Sequence, residues 1–356
     1  MGWYVTRVRK IGILTGGGDA PGLNAVIRAV VLCASNEVHL DVVGIRDGFG
    51  GFAEGDEGLM PLTRDTVRGL LWRGGSILGC NNRYRGQPAF FVERIRELGL
   101  EGLVIVGGEG SLTVAHEIAG LGARVVGVPK TIDNDVEGTD QTFGFDTAVS
   151  LVAEMCIRLI DTAESHHRVM IVEVMGRNAG HIALHGALAG AADIALIPEI
   201  PYRPEHIAKV TAERAARHRT YTLVVMAEGA VREDGAKVVD RHRTQLAGRE
   251  ILGGAAEVLA HDLRKLIDHE VRSLSLAHLQ RGGTPTAFDR VLASRMGVLA
   301  ARALASNQTD VFTAYRNSIV QLAPLSDAAG KVRRVDAGGR FLSASRALGI
   351  SFGDGR

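Results

Sequence analysis

Residues 129–136, Pro-Lys-Thr-Ile-Asp-Asn-Asp-Val, combine side chains whose types and spacing are suited to chemistry. They directly follow an apolar run that is typical of a short buried strand. If the backbone stays extended beyond the proline, the two-residue period of a strand places Thr131, Asp133 and Asp135 on one face. Two neighbouring carboxylates repel each other and need a cation or a metal nearby. Together with the ammonium of Lys130 they indicate metal and phosphate chemistry, although an Asx-rich turn with a helix cap uses the same residue types.

Length and composition narrow the class of protein. The 356 residues predict two domains, and 46% hydrophobic residues, 23% charged residues and 45 glycines are typical of a soluble globular chain with many tight turns. A formal net charge of +1 gives no electrostatic case for a nucleic-acid or membrane partner. The three cysteines, Cys33, Cys80 and Cys156, have neither metal-ligand nor disulfide spacing. Without a signal-peptide core or a membrane-length apolar run, the sequence predicts a cytoplasmic protein.

Predicted strands and helices alternate along the chain, which is typical of an α/β fold with mostly parallel sheets. The predicted strands are 10–14, 40–45, 102–106, 125–128, 169–174, 193–197, 221–227 and 273–276. The predicted helices are 23–32, 90–98, one beginning at residue 112, 144–166, 181–192, 250–268 and 288–304. We expect residues 55–88 to be irregular, 231–249 to form an exposed excursion, and the tail from residue 330 to be loosely ordered.

Two predicted strands end in glycine-rich loops that lead into helices. Residues 16–22 follow the first strand, and residues 107–111, which include Glu109, follow another. A strand, glycine loop and helix in succession place backbone N–H groups against a phosphate, and Glu109 could bind a hard cation such as Mg²⁺. The first loop fits neither the dinucleotide fingerprint nor the Walker A pattern, and tight strand–helix connections are the simpler alternative. Because ligands gather at the carboxyl ends of strands in α/β sheets, these loops and residues 129–136 are expected to form one site.

The second half of the chain carries cationic side chains at or beside strand ends. They are Arg168, Arg177, Arg272, His278 and Arg281. Arginine binds phosphate oxygens through two parallel hydrogen bonds, although each of these residues alone is more often a surface ion pair. Together they predict a second phosphorylated ligand, as in an enzyme that transfers a phosphoryl group from a donor to a phosphorylated acceptor.

Several motifs in this order resemble those of one family, the ATP- or pyrophosphate-dependent phosphofructokinases. The resemblance covers about residues 10 to 305. It rests on Gly17-Gly18-Asp19-Ala20-Pro21-Gly22-Leu23-Asn24, Gly107-Gly108-Glu109-Gly110-Ser111, Thr131-Ile132-Asp133-Asn134-Asp135, Glu173-Val174-Met175-Gly176-Arg177, Ala227-Glu228-Gly229 and His278-Leu279-Gln280-Arg281-Gly282-Gly283. It implies two Rossmann-like three-layer α/β/α domains with mostly parallel sheets and an active site in the cleft between them. Residues 1–143 with about 280–310 would bind the donor, and residues 144–279 with about 311–356 would bind the sugar phosphate.

The resemblance also implies roles for individual residues. Asp133 would be the base that accepts the proton of the sugar hydroxyl, with Thr131, Asp135 and Arg177 supporting the transfer. The donor would contact Gly17, Arg83, Gly108, Gly110, Ser111 and Lys130, and Glu109 would bind Mg²⁺. Fructose 6-phosphate would contact Thr131, Asp133, Met175, Gly176, Arg177, Glu228, His278 and Arg281. Arg168 and Arg272 would reach into a neighbouring subunit's site, which implies a homo-oligomer, usually a tetramer.

Departures from the family pattern leave alternatives open. Glu109 stands where the family has an Asp, and the donor-site arginine aligns with Asn82, one step from Arg83. The resemblance makes Gly110 typical of ATP users and Lys130 typical of pyrophosphate users. We expect ATP as the donor and fructose 6-phosphate as the acceptor. Pyrophosphate as donor, another sugar phosphate such as sedoheptulose 7-phosphate, and a catalytically silent sugar-phosphate-binding protein are the alternatives.

Overall fold

The computed structural model describes residues 9–81, 86–235 and 254–356. The strands of these ranges are β1 (Lys10–Thr15), β2 (Asp41–Ile45), β3 (Leu59–Leu62), β4 (Leu100–Gly107), β5 (Val125–Pro129), β6 (Val169–Val174), β7 (Ile194–Leu196), β8 (Thr222–Ala227), β9 (Val271–Ser275), β10 (Val311–Arg316) and β11 (Ile319–Pro324). The helices are α1 (Leu23–Cys33), α2 (Pro88–Glu97), α3 (Glu109–Gly120), α4 (Phe145–His166), α5 (His181–Ala189), α6 (Pro204–Ala216), α7 (Ala255–Leu263), α8 (Ala287–Ala305) and α9 (Arg340–Ala347). Within the described ranges, no helix is long and apolar enough to cross a membrane.

The chain forms two compact units, and the first is built on a seven-stranded sheet. Of the described residues, this unit takes those up to Ile132, Val136–Asp146 and Arg281–Val332. The strand order is β11-β10-β5-β4-β1-β2-β3. The pairings from β10 to β2 are parallel, and the two outer strands, β11 and β3, pair antiparallel. The predicted α/β fold with mostly parallel strands is confirmed.

Both faces of the central strands β1, β4 and β5 are buried, which explains why these strands are mostly apolar. Alternate residues of one strand enter different cores: Ile13 packs with residues of α1 and α8, whereas Leu14 packs with residues of α2 and α3. In β4, Val104 and Ile105 divide between the two cores in the same way. Helices on both faces leave the loops at the strand ends as the places where a ligand can reach the backbone.

The second unit is built on a four-stranded parallel sheet in the order β7-β8-β6-β9. It comprises Asp133–Asp135, the described part of Thr147–Gln280, and Arg333–Arg356. Its core places alternate residues of β6 and β8 against α6 and α7. The carboxyl ends of β6 and β8 lie side by side, because Val174 pairs with Ala227.

Several predicted boundaries are wrong. Helix α3 begins at Glu109 rather than at residue 112, because Glu109 and the two residues after it already form a helical turn. Residues 55–88 contain β3. The tail beyond residue 330 contains α9, which includes the buried Leu342, and the buried Phe352 lies after this helix. Residues 311–332, expected in the second domain, lie in the first unit, because β10 pairs with β5 and with β11. Most of the predicted excursion at 231–249 lies outside the described residues, and α7 is shorter than the predicted helix over 250–268.

Candidate active site

The loop after β1 brings backbone N–H groups to the carboxyl end of the first sheet. Gly16 N–H donates to the carbonyl of Val106 at 2.8 Å, and α1 begins at Leu23. Gly17 has a φ of +78°, a left-handed conformation that favours glycine. The predicted succession of strand, glycine loop and helix is therefore present, with the geometry that suits a phosphate.

A cavity of about 380 Å³ opens beside this loop within the first unit. It is lined by Gly17, Gly18, Asp19, Gly75, Ser76, Gly79, Cys80 and Arg281. The guanidinium of Arg281 lies against Gly18, where an added Cβ would stand 2.7 Å from Nη1. Nη1 is also 3.8 Å from a carboxylate oxygen of Asp19. Arg281, predicted to bind the sugar phosphate, thus lies in the first unit beside the glycine loop.

Lys130 lies under the same loop and is only 3% exposed. Its Nζ donates to the carbonyl of Gly18 and lies 3.7 Å from where a Cβ on Gly17 would stand. Its backbone N–H donates to the carbonyl of Gly107 at 2.9 Å, which fixes it between the ends of β4 and β5. Burial raises the pKa of the nearby Cys80 thiol, and the Lys130 ammonium partly offsets that rise. A buried ammonium at this place supplies positive charge for a polyanionic ligand.

Helix α3 presents its N-terminus and the predicted metal ligand at the end of β4. Gly108 is the N-cap, and Glu109, Gly110 and Ser111 are the first residues of a 12-residue helix. The N–H groups of this first turn and the helix dipole favour a negatively charged ligand. Thr113 Oγ1 donates to Glu109 Oε1 at 2.9 Å, which steadies the carboxylate.

The donor set around Glu109 fits a magnesium ion that is bound together with phosphates. Mg²⁺ in such sites takes one or two carboxylates and fills its other positions with phosphate oxygens and water. In the ranges that the structure describes, no group of three or more His, Cys, Asp or Glu side chains could hold a metal by itself. A single carboxylate beside a helix N-terminus fits a cation that a phosphorylated ligand would help to bind.

Residues 73–80 line the cavity and are tied to the first helix by one buried side chain. Asn24, in the first turn of α1, is 1% exposed. Its Nδ2 donates to the carbonyls of Arg73 and Gly74, both at 3.1 Å, and its Oδ1 accepts from the Ile77 N–H at 2.9 Å. Sequence analysis missed this role, although an asparagine near the start of an otherwise apolar helix was a usable signal.

Thr15 makes a second attachment to the same loop. Its Oγ1 donates to the carbonyl of Gly79 at 2.6 Å and lies 2.9 Å from the Ser76 hydroxyl. The segment predicted to be irregular is thus a defined wall of the cavity.

The aspartate stretch is not a continued strand, because β5 ends at Pro129. Asn134 has a φ of +54°, in the left-handed region, and is 4% exposed. Exposure nevertheless alternates as the prediction requires, since Thr131, Asp133 and Asp135 are half-buried. Thr131 belongs to the first unit, and the two aspartates belong to the second.

In the second unit, the loops after β6 and β8 are locked together. Gly176 has a φ of +129°, and its carbonyl accepts from the Gly229 N–H at 3.3 Å. A Cβ on Gly229 would lie 2.1 Å from the carbonyl oxygen of Arg177. Glycine at this position therefore allows the backbone that carries Arg177 to pass close to the loop after β8.

The same end of the sheet carries the other predicted sugar-phosphate residues of this unit. Met175 N–H donates to Oε1 of the buried Gln280 at 3.2 Å, and Gln280 lies in the short helical turn that also contains His278. Glu228 follows β8, and its N–H donates to the carbonyl of Val174 at 2.8 Å. Sequence analysis did not assign this contact, through which Gln280 fixes the backbone of Met175.

Arg168 and Arg272 lie at the other end of this sheet. Arg168 precedes β6, and its Nε donates to Glu270 at 2.6 Å; Arg272, near the start of β9, also donates to Glu270. Arg177 follows the opposite end of β6, whose six residues span about 20 Å of backbone at about 3.3 Å per residue. The cations predicted at or beside strand ends are therefore divided between the two ends of the second sheet, with Arg168 and Arg272 at one end and Arg177 at the other. Arg83 lies outside the described residues.

The fold and the glycine-rich strand-end loops define an α/β enzyme of the phosphotransferase class. The family model for phosphofructokinase matches residues 10–304. The ATP-dependent 6-phosphofructokinase of Chloroflexus aurantiacus is 44% identical over 98% of this chain and 99% of its own length. The pyrophosphate–fructose 6-phosphate 1-phosphotransferase of Amycolatopsis methanolica is 45% identical over 92% of this chain and 96% of its own. This chain belongs to the phosphofructokinase family.

The solved structures agree with this assignment. The crystal structure of Pichia pastoris phosphofructokinase in the T-state superposes with a TM-score of 0.80 at 30% identity. The match covers 90% of this chain and 38% of the Pichia chain, so the present chain spans well under half the length of that relative.

Proposed function

We propose that this enzyme transfers the γ-phosphoryl group of ATP to the 1-hydroxyl of fructose 6-phosphate, giving fructose 1,6-bisphosphate and ADP. The observation that carries the choice of donor is the open space beside Gly110. A Cβ added to Gly110 would meet nothing within 4 Å, and the residue sits in a helical turn that any residue can adopt. Neither packing nor backbone conformation requires glycine there, and a donor larger than pyrophosphate lying along this turn explains it.

The chemical step needs a base, a positioned acceptor and positive charge around the transferred group. Asp133 would accept the proton of the sugar's 1-hydroxyl group. The hydroxyl oxygen would form a bond to the γ-phosphorus of ATP, while the bond between the γ-phosphorus and the bridging oxygen of the β-phosphate breaks and ADP leaves. Thr131 and Asp135 would support the acceptor and the donor phosphates. Arg177 would neutralise negative charge on the transferred phosphoryl group. Removal of a side chain that stabilises charge in this way typically slows catalysis by about 10²–10³-fold.

The donor would be held by the first unit. Gly17, Gly108 and Ser111 would offer backbone and hydroxyl groups to the phosphates, and the buried Lys130 would offer its charge. Glu109 would hold Mg²⁺, which when bound neutralises charge on the donor phosphates. The residues proposed to contact the acceptor are Met175, Gly176, Arg177, Glu228, His278 and Arg281.

Pyrophosphate as the donor is a second candidate, and Lys130 favours it. The ammonium of Lys130 lies against Gly17 and Gly18, where it would meet a diphosphate directly. A relative that is 45% identical is a pyrophosphate–fructose 6-phosphate 1-phosphotransferase by name.

We also propose that the enzyme acts as a homo-oligomer. Arg168 and Arg272 lie at the amino ends of their strands, whereas Arg177 follows the carboxyl end of β6. In a homo-oligomer, Arg168 and Arg272 would instead bind a ligand in the active site of a neighbouring subunit. Light scattering tests this, because a monomeric molar mass under assay conditions contradicts it.

A donor-by-acceptor matrix tests the proposed function. Wild-type enzyme with Mg²⁺ is assayed with ATP or pyrophosphate against fructose 6-phosphate or sedoheptulose 7-phosphate. We expect the highest kcat/KM with ATP and fructose 6-phosphate, and loss of nearly all rate in Asp133→Ser. Asp56→Ser, at an exposed aspartate, is the matched control and should keep full activity. A higher kcat/KM with pyrophosphate would replace the first proposal by the second.

A further inference from the structure

A short segment near the end of the chain, Arg333–Val335, contacts the stretch that carries Asp133. We propose that Arg333 is a positioning residue for the catalytic aspartate: it holds Asn134 and Asp135 in the conformation that presents the Asp133 carboxylate to the acceptor. This inference rests on the proposed function, in which Asp133 is the base.

Arg333 makes three hydrogen bonds to two consecutive residues. Its guanidinium donates to the carbonyl of Asn134 from Nε at 3.1 Å and from Nη2 at 2.9 Å. Its backbone N–H donates to the carbonyl of Asp135 at 2.8 Å. The planar guanidinium fork and the main chain therefore grip adjacent peptide units at once, which fixes their orientation better than a single contact does.

The backbone at this point needs such support. Asn134 is buried and has a φ of +54°, a left-handed conformation that asparagine adopts more readily than most residues but that is still sparsely populated outside glycine. It directly follows Asp133, so a relaxation of its backbone rotates the peptide unit from which the Asp133 side chain projects. A displacement of about 1 Å at a reacting group can lower the rate by about 10²-fold.

Arg333 is itself held by the body of the second unit. Its carbonyl accepts a hydrogen bond from Nε2 of the buried His181 at 3.3 Å. Two residues on, Val335 N–H donates to Glu199 Oε1 at 2.8 Å, and the same carboxylate accepts from the Gly180 N–H at the N-cap of α5. The contact to Asn134 therefore comes from an anchored segment.

This support comes from outside the region that identifies the family. The phosphofructokinase model matches residues 10–304, and none of the motifs that carry the resemblance reaches residue 333. The aspartate stretch thus depends on a part of the chain to which the motifs give no function.

The test compares Arg333→Ala and Arg333→Lys with Arg334→Ala, which removes an exposed neighbouring arginine. We expect Arg333→Ala to lower kcat by about 10²-fold while both KM values stay within about threefold. Lysine keeps the charge but not the fork, so Arg333→Lys should be intermediate, and added guanidinium ion should restore part of the Arg333→Ala rate. Arg334→Ala should match wild type.

Hydrogen exchange of a peptide covering residues 129–137 gives a readout that does not depend on turnover. Faster exchange in the folded Arg333 variants supports the positioning role. Unchanged exchange together with unchanged kcat overturns it, as does a rate loss that equals the loss of folded protein. If Arg333→Ala does not fold, Arg333→Lys decides by the same two criteria. A wild-type enzyme without turnover refutes the proposed function instead, and the exchange result still shows whether Arg333 holds the loop.

Discussion

Replacing Asn24 by alanine should open the wall of the cavity beside the glycine loop, where we propose that the donor binds. The substitution removes two hydrogen bonds to the carbonyls of Arg73 and Gly74 and one from the Ile77 N–H. Each is worth about 1 kcal/mol, so the three together stabilise the closed wall by about 3 kcal/mol. Because 1.4 kcal/mol corresponds to a factor of ten, the closed population can fall relative to the open one by about 10²-fold. The apparent affinity for the donor, which is proportional to the closed fraction, falls by the same factor at most.

Steady-state kinetics with the donor varied at saturating fructose 6-phosphate measures this effect. We expect the donor KM of Asn24→Ala to rise between about 10- and 100-fold, with a much smaller change in the fructose 6-phosphate KM. Urea unfolding should show a loss of no more than about 3 kcal/mol. Asn36→Ala is the matched control, because Asn36 is exposed and accepts a single surface hydrogen bond from Arg64 at 2.7 Å.

Two results would refute this reasoning. One is an Asn24→Ala enzyme whose donor KM and unfolding free energy equal those of wild type. The other is a rise confined to the fructose 6-phosphate KM, which would mean that residues 73–80 serve the acceptor.

Two further predictions concern the second unit. Burial, and then the charge of Arg333, lowers the pKa of His181 to about 3, whereas an unfolded histidine has a pKa near 6.5. The stability linked to this neutral histidine is complete above about pH 6.5 and is lost as the pH falls toward 3, by at most about 1.4 kcal/mol per pH unit. His181→Gln should flatten this part of a plot of unfolding free energy against pH, and an unchanged slope would show that other groups produce it. Gly229→Ala places a Cβ 2.1 Å from the Arg177 carbonyl oxygen, so the fructose 6-phosphate KM should rise by about tenfold or more. Gly120→Ala, with nothing within 4 Å, should not change it, and equal KM values for the two variants would contradict the steric argument.

The strands that carry the site could be predicted because they are buried on both faces. β1, β4, β5, β6 and β8 are continuous apolar runs, and the glycine or carboxylate clusters that follow them are visible in the sequence. What was missed depends on contacts between distant residues. β10 became recognisable as part of the first unit only through its pairing with β5.

The site residues also fall into those that the local sequence indicates and those that depend on contacts between distant residues. The sequence itself suggested Lys130 and Glu109, because their types and places after strands have a direct chemical meaning. Asn24 and Arg333 act through the backbone of segments about 50 and 199 positions away, which no local pattern encodes. Arg168 precedes and Arg177 follows the same strand, so nearness to a strand does not by itself place two residues at one end of a sheet.

The division of the chain into discontinuous segments has a consequence for the order of its synthesis. The first unit needs Arg281–Val332, which a ribosome adds only after all of Thr147–Gln280. Helix α8 of this late segment packs on α1, and β10 completes the pairing of β5. The nascent first half therefore exposes the edge of β5 and the apolar face of α1 for about the whole time that residues 147–280 are made, roughly 7 to 27 s at ordinary translation rates. During that interval we expect a chaperone to bind the exposed apolar surface of the nascent first half. Slower elongation within residues 147–280 should increase aggregation of the nascent chain.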